Sequence, residues 1–308
     1  MKRAYSFVLC LPILLLGCSK NNDVKTSDEI VKSMTFTISD FNSSGEDFET
    51  RTSVGSNGGF FWAANDTVGI YPNTGSQVFF ELTEGEGASS AKFDGGGWDF
   101  KSSAVYYSYY PFIGDIYLDR THIPVSYLGQ KQIGTDKTDH IGPFDFMYTP
   151  GSPAKDGNVS FTYNHLSCII KLRLQLPVGT YSKLAITAPS NVLPVKGYFN
   201  LMADSPAIIP TEYSNQLSID LEDFVVTDSS TDYYVWLLSA PVNLNGVEVT
   251  VSVLNGNKTE LQCKKTPSRE YFRENIYPLG CVTWTEVPQS MSMFIQDWDN
   301  GDQIRGEV

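Results

Sequence analysis

Apolar and polar positions alternate with a period of two along much of the chain. Met34-Thr35-Phe36-Thr37-Ile38 sets Met34, Phe36 and Ile38 on one face and threonines on the other, which predicts a half-buried strand. A Gly- and Ser-rich interruption covers residues 42–59. Strand-like runs at 67–71, 78–82 and 105–110 then recur at roughly the eight-to-twelve-residue spacing of a sandwich or barrel, with turn clusters such as 94–97 between them. Beyond the Pro- and Gly-rich stretch 149–157, runs at 159–163, 167–176, 184–187, 233–238 and 247–254 continue the pattern. No stretch sustains a 3.6-residue apolar period of helical length; 265–276 predicts at most one short helix or turn. The pattern implies an all-β chain divided near residue 157, with domains at 34–156 and 157–308 and a polar tether at 18–33 ahead of them. No internal repeat of solenoid or propeller length is visible.

The first residues bear on compartment. Lys2 and Arg3 precede an apolar run at 7–16, and Leu15-Leu16-Gly17-Cys18 follows. The run is too short to span a hydrocarbon core of ~30 Å and predicts a secretory leader, 1–17. A small residue before a Cys, behind two leucines, resembles the bacterial lipobox, whose Cys is acylated and becomes the new N-terminus. Cys18 is then the lipid attachment; an ordinary leader with a chance Cys is the alternative. More than one acyl chain anchors stably where a single one does not.

Losing Lys2 and Arg3 takes the formal charge from −13 to −15. A chain this acidic, with no basic cluster, is unsuited to nucleic acid or to an anionic membrane face. Of the five cysteines, Cys10 leaves with the leader and Cys18 is acylated, so Cys168, Cys263 and Cys281 remain and at most one disulfide forms. Cys168 sits in an apolar run and suits a core position; Cys263 with Cys281 is the pair to test. No C-x-x-C occurs to suggest zinc or redox chemistry.

Catalytic patterns are missing from the sequence. It contains no G-x-S-x-G, P-loop or H-E-x-x-H, and His122, His140 and His165 lie far apart. Asp136, Asp139 and His140 form the one compact group of ligand-type residues, which reads as a solvated loop rather than a metal site. Asp297, Asp299 and Asp302 are similar to a calcium loop, but the glycine comes early and the distal Glu is missing. His165, beside apolar positions, suits a structural role. The run Tyr106-Tyr107-Ser108-Tyr109-Tyr110-Pro111-Phe112 invites sugar stacking, although strand tyrosines commonly divide between core and surface. Neither cofactor nor metal is expected, and the chain is expected not to be an enzyme.

A series of landmarks in order resembles the fimbrillin family, the subunits of type V pili. They are the lipobox at Cys18, Thr50-Arg51-Thr52, then 62–71 (Trp-Ala-Ala-Asn-Asp-Thr-Val-Gly-Ile-Tyr), Tyr109-Tyr110-Pro111, Asp145-Phe146-Met147-Tyr148, 159–166, Tyr277-Pro278-Leu279 and Ile295-Gln296-Asp297-Trp298. The resemblance implies two transthyretin-like β-sandwich domains in tandem and a polymerising, outer-membrane-derived function. In that family a trypsin-like protease cuts after an Arg and removes lipid and first strand together, and a neighbour's strand fills the groove. Carried over residue by residue, the cut falls between Arg51 and Thr52, and Met34, Phe36 and Ile38 form the displaced strand. The alternating tail with Met291, Met293 and Ile295 on one face and Trp298 toward the other becomes the donor. The implied partners are other pilus subunits, the outer membrane before processing, and a host or glycan ligand. Two alternatives stay open: the tail is a strand of its own domain, and the chain is an anchor subunit or a stationary glycan-binding lipoprotein.

Overall fold

The alternating runs are strands in a computed structural model that describes residues 29–43, 60–96, 99–114, 118–135, 137–255 and 260–287. The first ten strands are β1 (Ser33–Ile38), β2 (Asn42–Ser43), β3 (Thr67–Pro72), β4 (Val78–Glu84), β5 (Ser90–Asp94), β6 (Val105–Tyr110), β7 (Ile123–Ser126), β8 (Gln130–Ile133), β9 (Met147–Pro153) and β10 (Asn158–His165). The remainder are β11 (Cys168–Leu174), β12 (Gly179–Thr187), β13 (Leu193–Phe199), β14 (Ile209–Ser214), β15 (Gln216–Val226), β16 (Tyr233–Ser239), β17 (Val242–Asn243), β18 (Val249–Asn255), β19 (Glu260–Lys265), β20 (Glu270–Tyr271), β21 (Asn275–Cys281) and β22 (Thr285–Val287). The only helical turn among the described residues is a 3-10 segment, Gly142–Phe144. The all-β class expected from the alternation is therefore what the chain adopts.

Seven strands close into a barrel in the order β1-β10-β9-β6-β3-β4-β5. Its interior is aromatic and aliphatic: Phe36, Trp62, Val68, Ile70, Phe161 and Tyr163 are all buried. Beyond it lie a four-stranded sheet, β16-β11-β21-β2, and a six-stranded sheet, β22-β19-β18-β12-β15-β8, with smaller sheets β14-β13-β7 and β17-β20. The four- and six-stranded sheets are tied at one margin by side chains rather than by a ladder. Gln130 and Gln132 of β8 are buried and lie against the open edge of β16. The Leu238 N–H donates to Gln130 Oε1 at 2.8 Å and Gln130 Nε2 donates to the Leu238 carbonyl at 2.8 Å. Gln132 repeats the arrangement with the Trp236 N–H at 3.1 Å and the Tyr234 carbonyl at 2.9 Å. A primary amide offers the same donor and acceptor as a peptide group, so the two glutamines complete an edge that burial cuts off from water.

Two expectations need correction. First, the stretch 149–157 is no linker. β9 runs through Pro150 and Pro153, and 156–157 form the turn into β10. The prolines are tolerated because β9 pairs with β10 only at Tyr148 and Met147, which leaves the later half of β9 bonded to β6 alone, across an irregular register. Asp156 (φ 53) and Gly157 (φ +79) supply the two left-handed residues of a tight hairpin, closed by reciprocal bonds between Lys155 and Asn158. Second, the expected division at 157 cuts through that hairpin, and the sheets are not contiguous in sequence. β10 belongs to the barrel with β1, whereas β2, β7 and β8 pair with β21, β13 and β15. Of the helix or turn expected at 265–276, the turn is what forms, with Glu274 at φ 62, beside β20.

Gly69 of β3 faces Tyr109 of β6, where a Cβ would lie 2.7 Å from Tyr109 Cζ and 2.9 Å from Gln77 Oε1. Gly69→Ala is therefore expected to lower stability by about 1–3 kcal/mol through overpacking. Gly179→Ala, whose Cβ would meet nothing nearer than 3.9 Å, should stay within about 0.5 kcal/mol of the parent. Urea unfolding of both variants checks the pair, and equal midpoints would refute the packing argument.

Candidate assembly site: the seat of the N-terminal strand

β1 is the stave that completes the barrel, and its two seams are unequal. Toward β10 it runs parallel over its full length, from Ser33 opposite Asn158 to Ile38 opposite Tyr163. Toward β5 it pairs antiparallel only at Phe36 with Ala91 and Thr37 with Ser90. Where the second seam stops, a cleft of about 200 Å³ opens between Val31–Met34 and Phe80, Phe93 and Phe100. The alternation seen in the sequence sets the depth of each side chain: Phe36 and Ile38 are buried, Met34 is half-buried, and Thr35 faces solvent.

Phe36 is the centre of the seat. Its ring centroid lies 4.7 Å from Phe93 and 5.1 Å from Phe161, separations typical of favourable aromatic pairs. Trp62 reaches across from outside the ladder, donating Nε1–H to the Phe36 carbonyl at 3.2 Å and setting its ring edge-on to Phe93, Tyr110 and Tyr163. The loop behind Trp62 is built for this placement. Asn65 takes φ 64, and Asp66 Oδ2 accepts the Ala63 N–H at 2.7 Å while Oδ1 accepts the Tyr110 hydroxyl at 2.8 Å. Burial holds the Asp66 carboxyl above its ordinary range, against those two bonds, and pushes the Tyr110 phenol well up.

Past β1 the chain stays committed. Ser39 N–H donates to the Tyr163 carbonyl at 3.0 Å, and the Ser39 carbonyl accepts from His165 Nε2 at 2.7 Å. Because a carbonyl only accepts, Nε2 carries a proton. His165 Nδ1 lies 2.7 Å from Asp145 Oδ2, so one further proton is shared within that buried pair. Burial raises the Asp145 carboxyl, opposed by the charge and hydrogen bond of His165. Asp145 Oδ1 has no partner among the described residues. Phe41 lies 3.8 Å, centroid to centroid, from the His165 ring and 4.7 Å from Phe60. β2 then carries the segment onto β21 of the four-stranded sheet. Residues 29–43 thus touch both the barrel and the second set of sheets. Phe36, Ile38 and Phe41 are buried and each contribute about 1.5–3 kcal/mol by that burial.

Of the residues singled out in the sequence, Met34, Phe36 and Ile38 occupy this seat. Cys18, Arg51, Thr52, Met291, Met293, Ile295 and Trp298 lie outside the described residues, as do Asp297, Asp299 and Asp302. The tyrosine run is divided: Tyr106, Tyr109 and Tyr110 are buried, with Tyr109 donating to Gln77 Oε1 at 2.7 Å, while Tyr107 and Phe112 are half-buried. His140 donates Nε2–H to the Trp236 carbonyl at 2.7 Å, and burial lowers its pKa. Among the described residues no three His, Cys, Asp or Glu side chains gather closely enough to hold a metal. The alternation did not point to Trp62, Phe41, Phe60 or Asp145 as parts of the seat, because all four approach β1 from loops.

No family model matches the sequence, and no curated protein matches it. Solved structures do share its fold. A candidate cell adhesion protein from Bacteroides ovatus superposes with a TM-score of 0.53 at 14% identity, covering 84% of this chain and 97% of the other. Another from Bacteroides uniformis gives 0.50 at 13% identity, covering 71% and 87%. The tip fimbrial protein Mfa3 from Porphyromonas gingivalis, truncated at its C-terminus, is a looser match at 0.34 and 11% identity, covering 70% and 89%. At these identities the likeness to the first two shows a shared fold.

Phe36→Ala is expected to cost about 3–5 kcal/mol, and Thr35→Ala less than about 0.5 kcal/mol; denaturant titration separates the two. The Asp145 carboxyl binds a proton more readily folded than unfolded. Its contribution is therefore complete below the ordinary carboxylate range and is lost as pH rises through the raised folded value. The wild type should gain stability relative to Asp145→Asn between pH 7 and pH 4. A difference that stays flat with pH would show that Asp145 titrates normally.

Proposed function

We propose that the chain is a structural or adhesive subunit of a type V pilus, exported as a lipoprotein on Cys18 and cut between Arg51 and Thr52 by a trypsin-like protease. Donor-strand exchange then assembles it. The observation that carries this reading is the construction of β1: a complete barrel stave, ahead of the proposed cut in sequence and seated by apolar side chains two residues apart. Met291, Met293 and Ile295 repeat that spacing. A strand carrying them satisfies the same β10 and β5 edges and fills the space of Met34, Phe36 and Ile38. The cell adhesion proteins of shared fold support the broader part of the reading, a surface-adhesive role at the cell exterior.

A second reading, an anchor subunit or stationary lipoprotein, draws on the reach of the N-terminal segment. Its β2 is integrated with β21, which suits a protein that never releases it.

The N-terminus of the protein recovered from its own cell surface, sequenced by mass spectrometry with and without an inhibitor of trypsin-like proteases, separates the two. The pilus reading expects a start at Thr52, abolished by the inhibitor, and a ladder of multimers on unboiled denaturing gels. A monomer that begins at acylated Cys18 would overturn polymerisation and leave the anchored reading.

A further inference from the structure

The loop from β19 to β20, together with β21, encloses a cleft of about 210 Å³ that shares no residue with the seat of β1. Lys265, half-buried, and Arg269, exposed, are its two cations. The basic residues beside them have carboxylate partners: Lys264 lies 2.8 Å from Glu248, and Arg273 lies 3.6 Å from Glu274. Lys265 and Arg269 enter no ion pair among the described residues. Glu270 precedes Tyr271 on β20 and is exposed, so it faces away from the cleft that Tyr271 lines.

Two buried tyrosines complete the cleft. Tyr271 and Tyr277 stack with ring centroids 4.2 Å apart and planes 9° from parallel. Tyr271 is only 3% exposed, yet its hydroxyl has no hydrogen-bond partner among the described residues. The Tyr277 oxygen accepts the Phe272 N–H at 2.8 Å, which leaves its own O–H without an acceptor there. Burial pushes the Tyr271 phenol up to about 12 and raises that of Tyr277, so both keep their protons at neutral pH. The frame is fixed: the Pro267 carbonyl accepts the Gly246 N–H at 2.8 Å, and Tyr271 pairs with Val242 of β17. Pro267, Pro278 and Leu279 give the remaining wall an apolar face, with the exposed hydroxyls of Thr266 and Ser268 beside it.

Unpaired cations and donors without acceptors on one cleft call for a ligand that accepts hydrogen bonds and carries negative charge. The volume is below that of a drug-sized pocket, roughly 300–1,000 Å³, so it takes one ring-sized residue. A hydroxylated ring with a C–H face matches the prolines, Leu279 and the two hydroxyls, whereas a bare phosphate would leave those walls empty. A run of acidic residues would meet the repulsion of a chain whose own formal charge is −13. We infer that this cleft binds a carboxylated pyranose, a sugar residue of the uronic acid class, through Arg269, Lys265 and the Tyr271 hydroxyl. The carboxylate accepts from the guanidinium and the phenol, and the ring rests on the apolar wall. The inference deepens the adhesive role proposed above and rests on it only for the place where the sugar is met.

The test is calorimetric titration of the purified full chain with methyl glucuronide and with methyl glucoside, which keeps the ring and lacks the charge. The glucuronide is expected to bind about tenfold or more tighter than the glucoside. Tyr271→Phe deletes a hydroxyl that holds no internal hydrogen bond among the described residues. It should melt with the parent and bind the glucuronide about tenfold or more weakly. Arg269→Gln, at an exposed position, should do the same. Equal binding of the two glycosides, binding of neither, or folded variants that bind as the parent does would each overturn the inference. Tighter binding of inorganic phosphate, or of a short glutamate peptide, would replace the sugar with a simple anion or an acidic peptide and overturn it too. The titration does not depend on processing. A chain that starts at acylated Cys18 refutes polymerisation and leaves the cleft standing, and a cleft that ignores the glucuronide leaves the pilus reading standing.

Discussion

The barrel depends on one strand that meets its neighbours unequally. β1 satisfies the edge of β10 along its whole length and that of β5 at two positions. Its central side chain, Phe36, is the point on which rings from β5, β10 and the Trp62 loop converge. Remove this strand and two rows of peptide groups lose their partners while an aromatic interior opens to water. Both are costly, and both drive the gap to be refilled by something extended and apolar at alternate positions. The same geometry that makes the closed barrel stable therefore defines what is able to enter it.

The second set of sheets meets a related demand differently. The outer edge of β16 is buried, so water cannot satisfy it, and among the described residues no strand pairs with it through a backbone ladder. Gln130 and Gln132 place primary amides there instead. A sheet margin can thus be closed by side chains when the strand that carries them belongs to another sheet.

Much of the fold was legible in the alternation because inward and outward faces differ so sharply in β1, β4 and β10. Where legibility failed, the reasons are local. β8 inverts the usual sense, burying Gln130 and Gln132 while Lys131 and Ile133 face solvent, so its pattern reads as surface. β15 is apolar at Leu217, Ile219 and Leu221, then skips to Phe224, because a bulge with Asp223 at φ 53 resets its inward face. The Asp156-Gly157 pair was a hairpin signal obscured by the prolines before it. At the seat, Met34, Phe36 and Ile38 were legible from spacing. Trp62 and Asp145 were not, since contacts made from loops leave no period. The 62–71 landmark now has a physical basis: its Trp clamps Phe36 and its Asp fixes the turn that aims the Trp.

The parallel pairing of β1 with β10 has a mechanical consequence. Tension that arrives from the N-terminal side of Ser33 acts along the axis of β1. It slides that strand lengthwise against β10, loading the rungs from Ser33 to Ile38 together instead of one after another. Strands loaded in this way rupture as a unit, whereas strands pulled apart from one end unzip bond by bond. A pull applied on the N-terminal side of Ser33 therefore meets this strand in its more resistant direction.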